Sequence, residues 1–385
     1  MEFMGFRRAD GKVGVRNHVV VMAGCLCAQM AARKIAAATG ATYLHNPNGC
    51  GQNSADRAVT LEILSGMLAN GNVFSALIVG LGCEQIQGEQ YLSRIAEKAE
   101  KRVEYIKIQG EGGIGKTVEK GCAIVREMQE AAAKVQRVPC DVSELILGLE
   151  CGGSDPTSGL SANVVLGEVT DAVVDAGGTA VLSETPEAIG AEHILRDRAS
   201  CPELGARIYN AVRDCEAYYR ACGEDIRAAN PSPGNMAGGI TTLEEKSLGC
   251  IHKSGTRPFT GFCRYGDMIE EKGLVFMDAT AYDVASVAAK IAAGAQIVVF
   301  TTGLGTPVGS AVAPVVKITG NRDTAEFLSD MIDFDTSPSI AGTQSVEHLG
   351  RQLLEKVLAV CSGEETCSEK NGCEDMAINQ WHSYC

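Results

Sequence analysis

Four cysteines of this 385-residue chain each follow or close a short apolar run that predicts a buried strand. Open α/β sheets bind ligands just beyond the carboxyl ends of their strands. Thiolates at that edge suit Fe²⁺ or a [4Fe–4S] cluster, although single cysteines are also common as buried apolar side chains. The sequence therefore predicts an iron centre whose candidate ligands are Cys27, Cys50, Cys83 and Cys151.

Two glycine-rich turns follow predicted strands, at residues 151–155 and 301–307. Backbone amides of such a turn can approach a carboxylate, helped by the positive end of the following helix. The alternative is a tight turn whose Ser or Asp caps that helix. The candidate substrate-binding residues in these turns are Gly152, Gly153, Ser154, Asp155, Thr302 and Gly305.

Several charged side chains are candidates for catalysis or for binding an anion. Lys246, Lys253 and Lys317 could hold a carboxylate or, if desolvated, act as a base. The alternative for each lysine is a solvated surface position. His45 is the histidine near the cysteines. Arg16 and Asn17 precede the first strand and are candidates for ligand contact or for anchoring the fold, and Asn235 lies in an irregular region.

Residues 110–117 satisfy the GxxxxGK[ST] pattern of a phosphate-binding loop, after a predicted strand and before a predicted helix. A P-loop enzyme also needs a second strand that ends in a magnesium-binding Asp. The best candidate, Asp278, lies far downstream, and the pattern follows three βα units rather than opening its domain. A glycine-rich turn that caps a helix is preferred, with a P-loop nucleotide-binding protein as the less favoured alternative.

The alternation of strand and helix patterns predicts two Rossmann-like α/β domains with parallel sheets. We place them at residues 1–138, which carry Cys27, Cys50 and Cys83, and at 139–385, which carry both turns. Residues 137–141 are predicted to be a linker. Residues 228–266 are predicted to be a long ordered loop, and those after 361 a polar tail over the surface.

Composition limits the classes of function. A net charge of −14 argues against nucleic-acid binding, which needs a basic face. No run is long and apolar enough to span a membrane, and the chain starts without a signal-peptide pattern. Sixteen cysteines in such a chain indicate free thiols or metal ligands in a reducing, cytoplasmic setting.

Taken together, these motifs resemble the altronate and galactarate dehydratase family, which includes the large subunit of sulfolactate sulfo-lyase. The resemblance covers nearly the whole chain in order. The matching residues are Gly5-Phe6-Arg7-Arg8, Asp10-Gly11, Gly14-Val15-Arg16-Asn17, Gly49-Cys50-Gly51, Gly82-Cys83-Glu84, Cys151-Gly152-Gly153-Ser154-Asp155, Ser158, Asn163, Ser183-Glu184, Pro233-Gly234-Asn235, Gly238-Gly239, Glu245-Lys246, Lys253-Ser254-Gly255, Thr301-Thr302-Gly303, Gly305-Thr306-Pro307, Pro314 and Lys317.

The resemblance implies an iron-dependent hydro-lyase that converts a sugar acid to a 2-keto-3-deoxy acid. Iron would stabilise the charge that develops when a proton α to a carboxylate is removed. The resemblance adds Ser158, Asn163 and Lys317 to the substrate-binding candidates. The candidates for the catalytic acid or base are Lys246, Lys253, Glu184, His45 and Glu84.

Two positions leave the substrate open. This chain has Leu304 at a position where the galactarate enzyme looks to have Arg. It has Asn46 at a position where that enzyme looks to have His. A sulfo-lyase that expels sulfite from sulfolactate is the nearest alternative. The resemblance also implies an oligomer with a separate small subunit of about a hundred residues, the size of a small domain.

Overall fold

The computed structural model describes residues 1–382. Its strands form one small antiparallel sheet and two parallel sheets. The strands are β1 (Glu2–Arg7), β2 (Val13–Gly14), β3 (His18–Ala23), β4 (Thr42–Leu44), β5 (Val73–Gly80), β6 (Val103–Lys107), β7 (Val138–Asp141), β8 (Ile146–Cys151), β9 (Thr179–Leu182), β10 (Phe259–Arg264), β11 (Gly273–Asp278), β12 (Ile297–Thr301), β13 (Val315–Thr319) and β14 (Phe334–Asp335).

Helices follow most of the parallel strands, as right-handed crossovers require. They are α1 (Gln29–Thr39), α2 (Ser54–Ala69), α3 (Gly88–Lys98), α4 (Ile108–Glu111), α5 (Ile114–Ala132), α6 (Asn163–Asp175), α7 (Glu192–Asp197), α8 (Pro202–Ala221), α9 (Pro233–Ala237), α10 (Leu243–Ile251), α11 (Asp283–Ala292), α12 (Arg322–Phe327), α13 (Val346–Cys361) and α14 (Cys367–Lys370). Within residues 1–382, no helix combines the length and apolar character needed to cross a membrane. The predicted α/β class with parallel sheets is confirmed.

The first parallel sheet has the strand order β4-β3-β5-β6. After β3 the chain forms β4 on one side of that strand and then β5 on the other side. The strand order therefore reverses between β3 and β5. Cys27, Cys50 and Cys83 follow β3, β4 and β5 respectively. The prediction that these three cysteines lie beyond the carboxyl ends of neighbouring strands is therefore confirmed.

The second parallel sheet has the order β10-β11-β9-β8-β12-β13-β14. Its strand order reverses between β8 and β12, which end at Cys151 and Thr301. The inner strands are buried along their whole length, for example Val298, Val299 and Phe300 on β12. Such strands carry continuous apolar runs because helices cover both faces of the sheet.

The two parallel sheets share one apolar core through α2 and α11. Val20 and Ile78 of the first sheet belong to the same buried cluster as Val275 and Val298 of the second. A methyl group at Gly66 on α2 would lie 2.4 Å from the carbonyl oxygen of Ala292 on α11. Only glycine allows the two helices to approach this closely.

Two segments differ from their predicted states. The predicted linker at 137–141 contains β7, which pairs with β1 in antiparallel register from Glu2–Asp141 to Gly5–Val138. The predicted long loop at 228–266 contains α9, α10 and β10. Its two helices are short and are capped by Ser232 and Thr242, whose side chains accept bonds from the first-turn amides. Helices this short leave little periodicity in the sequence, so the segment was mistaken for a loop.

The polar tail is partly structured and is tied to the body of the protein. Glu369 on α14 forms an ion pair with Arg16, with 2.7 Å between Oε1 and Nε. Further along, the Trp381 and His382 amides each donate to the carboxylate of Asp56 at 3.1 Å. The tail is thus bonded to Arg16 and Asp56 rather than lying loosely on the surface.

The GxxxxGK[ST] segment does not form a phosphate-binding loop. Its first residues belong to α4, and the chain enters α5 at Ile114 after a turn at Gly112 and Gly113. Thr117, which would bind magnesium in a P-loop, is buried and donates its hydroxyl to the Gly113 carbonyl at 2.8 Å. The glycines therefore serve the turn between two helices, and the nucleotide-binding alternative loses its structural basis.

Candidate functional site

A buried cluster of thiols and charges lies at the carboxyl end of β8. The Lys253 ammonium lies 2.7 Å from Glu184 Oε2, 2.9 Å from Cys250 Sγ and 3.1 Å from Cys151 Sγ. The two sulfurs are 3.5 Å apart. Each side chain comes from a different turn: Cys151 ends β8, Glu184 follows β9, Cys250 lies near the end of α10, and Lys253 follows that helix.

Glu184 lies in a left-handed backbone conformation, with φ of 69°. Few non-glycine residues adopt this conformation, and they concentrate at functional sites. In this conformation the Glu184 carboxylate accepts from Lys253 and also from the amide of Cys151 at 3.3 Å.

The protonation states within this cluster follow from its contacts. A hydrogen bond from Cys151, together with the charge of Lys253, lowers the pKa of Cys250 despite burial. The bond to Cys250 and burial raise the pKa of Cys151 well above its usual value. Burial opposes the charge on Lys253, but the two sulfurs and Glu184 outweigh it and raise its pKa. These contacts favour the ionised form of Cys250 over that of Cys151, and they favour the charged form of Lys253.

A second buried pair lies directly behind the first. Lys290 on α11 forms an ion pair with Glu150 on β8 and also donates to Ser286 at 2.8 Å. Burial and the neighbouring Glu150 raise the pKa of Glu184 to about 8. Burial, with Glu184 and Glu187 nearby, raises the pKa of Asp283 at the start of α11 to about 7. These shifts indicate an excess of negative charge in this part of the sheet.

A cavity of about 280 Å³ opens beside the cluster. Its wall includes Ser154, Ser158, Asn163, Lys246 and Cys250. Its volume suits a small ligand, and its wall combines these polar side chains with apolar ones such as Leu160 and Ile240. Four of these five residues were predicted from the sequence, and the structure brings them together.

Lys246 is the cation of the cavity wall. Its Nζ lies 2.8 Å from Glu187 Oε1 and 2.8 Å from Asn230 Oδ1. Burial opposes its charge, but Glu187 and the sulfur of Cys151 raise its pKa. Lys246 and Lys253 are therefore both ammonium ions. An ammonium ion can bind an anion, but it must lose its proton before it can act as a base.

The two predicted glycine-rich turns pack against each other at the point where the strand order reverses. The Gly153 carbonyl accepts from the amides of Gly303 at 3.1 Å and Leu304 at 2.8 Å. A methyl group at Gly303 would lie 2.2 Å from the carboxyl carbon of Asp155, so this position requires glycine. Gly305, with φ of 88°, receives support from Thr302, whose hydroxyl accepts from its amide at 3.0 Å.

The polar side chains of these turns mostly bond to one another. Asp155 accepts from Asn321 at 2.8 Å, and Asn235 donates to the Ser154 carbonyl at 2.8 Å. Asn163 accepts from Thr301 at 2.7 Å. Gly152 donates its amide to the Thr301 carbonyl at 3.1 Å. These contacts position the cavity wall, which Ser154 and Ser158 also line.

The other three predicted metal ligands form a separate group at the first sheet. Cys27, Cys50 and Cys83 are exposed. Their loops touch, because a methyl group at Gly49 would lie 3.5 Å from the Cys25 Cβ, and one at Gly24 would lie 3.4 Å from the Gly80 Cα. Three solvent-facing thiols on adjoining loops are a donor set that suits iron or an iron–sulfur cluster.

The distances between potential ligand atoms show whether these thiols are close enough to share one metal ion. Within residues 1–382, no group of three potential ligand atoms within 4.8 Å of one another includes Cys27, Cys50 or Cys83. Cys151 belongs to such a group with Glu184 and Cys250 instead. The Lys253 ammonium lies among those three atoms and supplies their positive charge. Cys151 therefore forms its close group with Glu184 and Cys250 rather than with the other three cysteines.

The remaining predicted site residues lie outside both groups. Arg16 donates to Glu369 and to three backbone carbonyls, and Asn17 donates to the Ala132 carbonyl at 2.9 Å. Glu84 accepts from Gly82 at 2.5 Å and from Tyr105 at 2.8 Å, which fixes the turn around Cys83. These contacts are those of structural residues.

His45 and Lys317 also lie elsewhere. His45 contacts Tyr43 on a surface cleft that Arg33 also lines, and burial, with the nearby Arg33 charge, lowers its pKa. Lys317 is buried on β13, where burial lowers its pKa despite the nearby Asp333.

The sequence reasoning missed Cys250, Glu150, Lys290 and Asp283. Cys250 lies on the short helix α10 within the segment predicted to be a loop. Glu150 lies in an otherwise apolar strand, and a charged residue within such a run was the available signal. Lys290 lies four residues after Ser286 in α11, within a pattern that predicts only a buried helix face.

Comparisons with known proteins agree with this organisation. Residues 5–133 match the second domain of D-galactarate dehydratase/altronate hydrolase, and residues 142–383 match the C-terminal domain of D-galactarate/altronate dehydratase. Altronate dehydratase from Bacillus subtilis is 36% identical over 387 residues, which is 98% of this chain and 77% of that enzyme. The Escherichia coli altronate dehydratase is 35% identical over 97% of this chain and 76% of its own length.

A relative named for a different activity is also similar. The (2R)-sulfolactate sulfo-lyase subunit beta from Chromohalobacter salexigens is 32% identical over 98% of this chain and 97% of its own length. The extent of these matches means that the chain is an enzyme of the lyase class and belongs to the D-galactarate/altronate dehydratase family.

Proposed function

We propose that this enzyme dehydrates a sugar acid of the altronate type to a 2-keto-3-deoxy acid. The observation that carries the proposal is the cavity whose wall includes both the Lys246 ammonium and Cys250, a thiol whose pKa is lowered. In the reaction, the C2–H bond breaks and its proton passes to a base. The C3–O bond also breaks, and the hydroxyl leaves as water. The resulting enol then becomes the 2-keto acid.

Lys246 is the proposed partner of the substrate carboxylate. It is a nearly buried ammonium, held in place by Glu187 and Asn230. A positive charge at this position stabilises the extra negative charge that the carboxylate gains when the α-proton leaves. Ser154, Ser158 and Asn163 would orient the hydroxyl groups from the same wall.

Cys250 is the proposed base. Its pKa is lowered by the bond from Cys151 and by the charge of Lys253, whose Nζ lies 2.9 Å from its sulfur. Lys253 does not reach the cavity wall and would act by stabilising the thiolate. Glu184 holds Lys253 in this position through its 2.7 Å contact.

We also propose that Cys27, Cys50 and Cys83 hold the iron that the family resemblance implies. Iron bound there would supply Lewis acidity. This assignment is supported by the three exposed thiols on adjoining loops. Anaerobic purification, followed by measurement of iron and acid-labile sulfide per chain, tests it. A Cys83→Ser variant that keeps its full iron content contradicts it.

A smaller partner chain is part of the proposal. The relative that matches over 97% of its own length is named as a subunit beta, which supports a multi-chain enzyme. The same relative makes sulfolactate the second candidate substrate. Its carboxylate and hydroxyl would meet the same wall, and sulfite would leave in place of hydroxide.

A substrate panel tests the function. Purified enzyme, with any co-purifying partner, is offered altronate, galactarate and sulfolactate, and 2-keto acid and sulfite are measured. Altronate or a close stereoisomer is expected to give a 2-keto-3-deoxy acid. Lys246→Met is expected to lower kcat/KM by ~100-fold or more, because a charged contact to the carboxylate is lost. Lys116→Met, at an exposed lysine of the GxxxxGK[ST] segment, is the control and is expected to change nothing.

Release of sulfite from sulfolactate, without keto acid from the sugar acids, would replace the proposal by its alternative. No turnover of any of the three acids by the iron-loaded enzyme would contradict both.

A further inference from the structure

Two buried cysteines at the carboxyl end of β8 have their sulfurs in contact. Cys151 Sγ and Cys250 Sγ lie 3.5 Å apart, although 99 residues separate the two cysteines in the chain. Both thiols are free in this structure. The sulfurs of a disulfide lie about 2 Å apart, so these atoms need to approach by about 1.5 Å from their separation of 3.5 Å. Modest rotations about the two Cα–Cβ bonds can supply such a shift.

Cys250 is the member of the pair that a small molecule reaches first. It lines the cavity of about 280 Å³, whereas Cys151 is not part of that wall. The two residues are otherwise buried, with 4% of Cys250 and 3% of Cys151 exposed. A molecule as small as hydrogen peroxide fits this cavity, and the sulfur that it meets there is already in contact with a second thiol.

Lys253 places a positive charge beside both sulfurs. Its Nζ lies 2.9 Å from Cys250 Sγ and 3.1 Å from Cys151 Sγ. The thiolate is the form of cysteine that peroxides oxidise, and a nearby ammonium stabilises it. The hydrogen bond from Cys151 and the charge of Lys253 lower the pKa of Cys250, while the bond to Cys250 and burial raise that of Cys151. The contacts therefore suit Cys250 to be oxidised first and Cys151 to supply the second thiol.

We propose that Cys151 and Cys250 are a modification site at which a small peroxide converts the two thiols to a disulfide. First, the Cys250 thiolate attacks a peroxide oxygen, so an S–O bond forms, the O–O bond breaks and hydroxide leaves. The Cys151 sulfur then attacks the resulting sulfenic acid. The S–S bond forms, the S–O bond breaks, and the departing hydroxide leaves as water with the Cys151 proton. Two electrons pass from the sulfurs to the peroxide.

One consequence of the disulfide rests on the proposed function. The bond removes the thiol proposed as the base, and it leaves the Lys253 ammonium with Glu184 as its charged partner. Turnover of the sugar acid is expected to stop until a dithiol reduces the bond and is itself oxidised. Formation of the bond does not depend on which acid is the substrate or on which group is the base.

Peptide mapping after peroxide treatment tests the site without any measurement of activity. The full chain is treated with increasing hydrogen peroxide, unfolded in iodoacetamide to block the remaining thiols, and digested for mass spectrometry without reduction. A peptide pair joined through Cys151 and Cys250 is expected, and it is expected to disappear when dithiothreitol precedes the blocking step. Absence of the joined pair at every dose that oxidises the exposed Cys27 would overturn the proposal.

Cys151→Ser distinguishes the disulfide from other kinds of oxidation. Peroxide is expected to lower kcat of the parent by ~10²-fold or more through loss of the base, and dithiothreitol followed by iron reloading is expected to restore it. In Cys151→Ser the Cys250 sulfenic acid has no second thiol, so further oxidation is expected to make the loss irreversible. Cys122→Ser, at a buried cysteine in the core of the first sheet, is the matched control and is expected to recover as the parent does.

The two measurements separate this site from the proposed function. A joined peptide pair in an enzyme that keeps its kcat would confirm the disulfide and contradict Cys250 as the base. Full recovery of Cys151→Ser after dithiothreitol would place the inactivating oxidation elsewhere and contradict the proposal. The mapping of the parent decides the matter if Cys151→Ser does not fold.

Discussion

At Cys250, a side chain that usually behaves as a small apolar residue is placed to act as an ion. Its sulfur lies 2.9 Å from the Lys253 ammonium, and that ammonium is held in turn by Glu184 at 2.7 Å. A thiolate in an apolar environment is unfavourable unless a nearby cation stabilises it. Glu184 and Lys253 therefore favour the ionised form of Cys250 at the cavity wall, while Lys253 itself does not line the cavity.

Replacing Cys250 tests its role as the base. Cys250→Ala is expected to lower kcat for the sugar acid by ~10²–10⁴, the usual contribution of a general base. Cys250→Ser is expected to recover little, because a hydroxyl does not ionise beside Lys253. Cys122→Ala, at a buried cysteine on α5, is the control and is expected to keep kcat. A Cys250→Ala enzyme with parental kcat would assign the base to another residue.

Glu184 predicts how stability changes with pH. Burial and the nearby Glu150 raise its pKa to about 8, above the ordinary value of about 4.3 for an unfolded chain. Between these values the folded state binds a proton that the unfolded state has released, so the contribution of Glu184 to stability falls as pH rises from about 5 to 8. Chemical denaturation across this range measures it.

The Glu184→Gln variant isolates this contribution. It is expected to show a flatter dependence of unfolding free energy on pH between about 5 and 8 than the parent, since the titrating group is gone. Equal slopes for the variant and the parent would mean that Glu184 keeps an ordinary pKa.

At the scale of elements, the position of every functional group depends on two points where strand order reverses. In the first sheet this point lies between β3 and β5, and in the second between β8 and β12. Loops diverge there to opposite faces of a sheet and leave a crevice. The contact between α2 and α11 connects the two sheets, because these helices pack within the shared core.

Substitution of Gly66 tests that contact. A methyl group there would lie 2.4 Å from the Ala292 carbonyl, so Gly66→Ala is expected to destabilise the protein by ~1–3 kcal/mol through overpacking. Gly115→Ala is the control, because a methyl group at this position on α5 meets nothing within 4 Å. Urea denaturation measures both. A Gly66→Ala protein as stable as the control would show that the helices separate at little cost.

At the scale of the whole molecule, the C-terminal segment connects parts that are distant in sequence. Trp381 donates its amide to Asp56 in the first turn of α2, and its ring lies 5.9 Å from that of Tyr265. The Tyr265 hydroxyl donates to the Ala285 carbonyl at 3.3 Å, near the start of α11. The starts of α2 and α11 thus lie on one side of the molecule, and so do the carboxyl ends of both parallel sheets.

Arg16 tests whether this anchoring is structural. Its guanidinium bonds to Glu369 and to the carbonyls of Val15, Val360 and Glu364. Arg16→Met is expected to lower the free energy of unfolding by about 3 kcal/mol, because it leaves Glu369 without its partner. KM for the sugar acid is expected to stay unchanged. Arg322→Met removes an exposed pair with Glu326 and is expected to cost under ~1 kcal/mol.

If Arg16→Met instead raises KM and keeps the parental stability, Arg16 is part of the substrate site. Urea denaturation and steady-state kinetics on the same preparations separate the two outcomes.

How much of this could be predicted from the sequence depends on the range of the interactions. Cys27, Cys50 and Cys83 were placed correctly at strand ends, because strand and helix periodicity is local and parallel strands share an edge. Cys151 was predicted to lie in the second domain and to meet the other three at a shared metal. Whether strand ends of two sheets meet depends on long-range packing that one sequence does not show.

Only part of the cavity wall was predicted, again because one sequence does not show long-range packing. Ser154 lies in the glycine-rich turn after β8, which identifies it, whereas Ser158 and Asn163 were named from the family resemblance. Cys250 lies 99 residues from Cys151 and meets it only because α10 packs over the end of β8. Glu150 and Lys290 pair across 140 residues. Their partners are set by the tertiary fold, and local patterns contain no information on such pairs.

A crystal structure of the chain with a 3-deoxy analogue of altronate is the most direct test of the central claim, since the analogue lacks the hydroxyl that departs. The account predicts electron density in the cavity of about 280 Å³, with the carboxylate bonded to Lys246 Nζ and C2 facing Cys250 Sγ. An analogue bound in the surface cleft beside Arg33 and His45, with no density at Lys246, would contradict it.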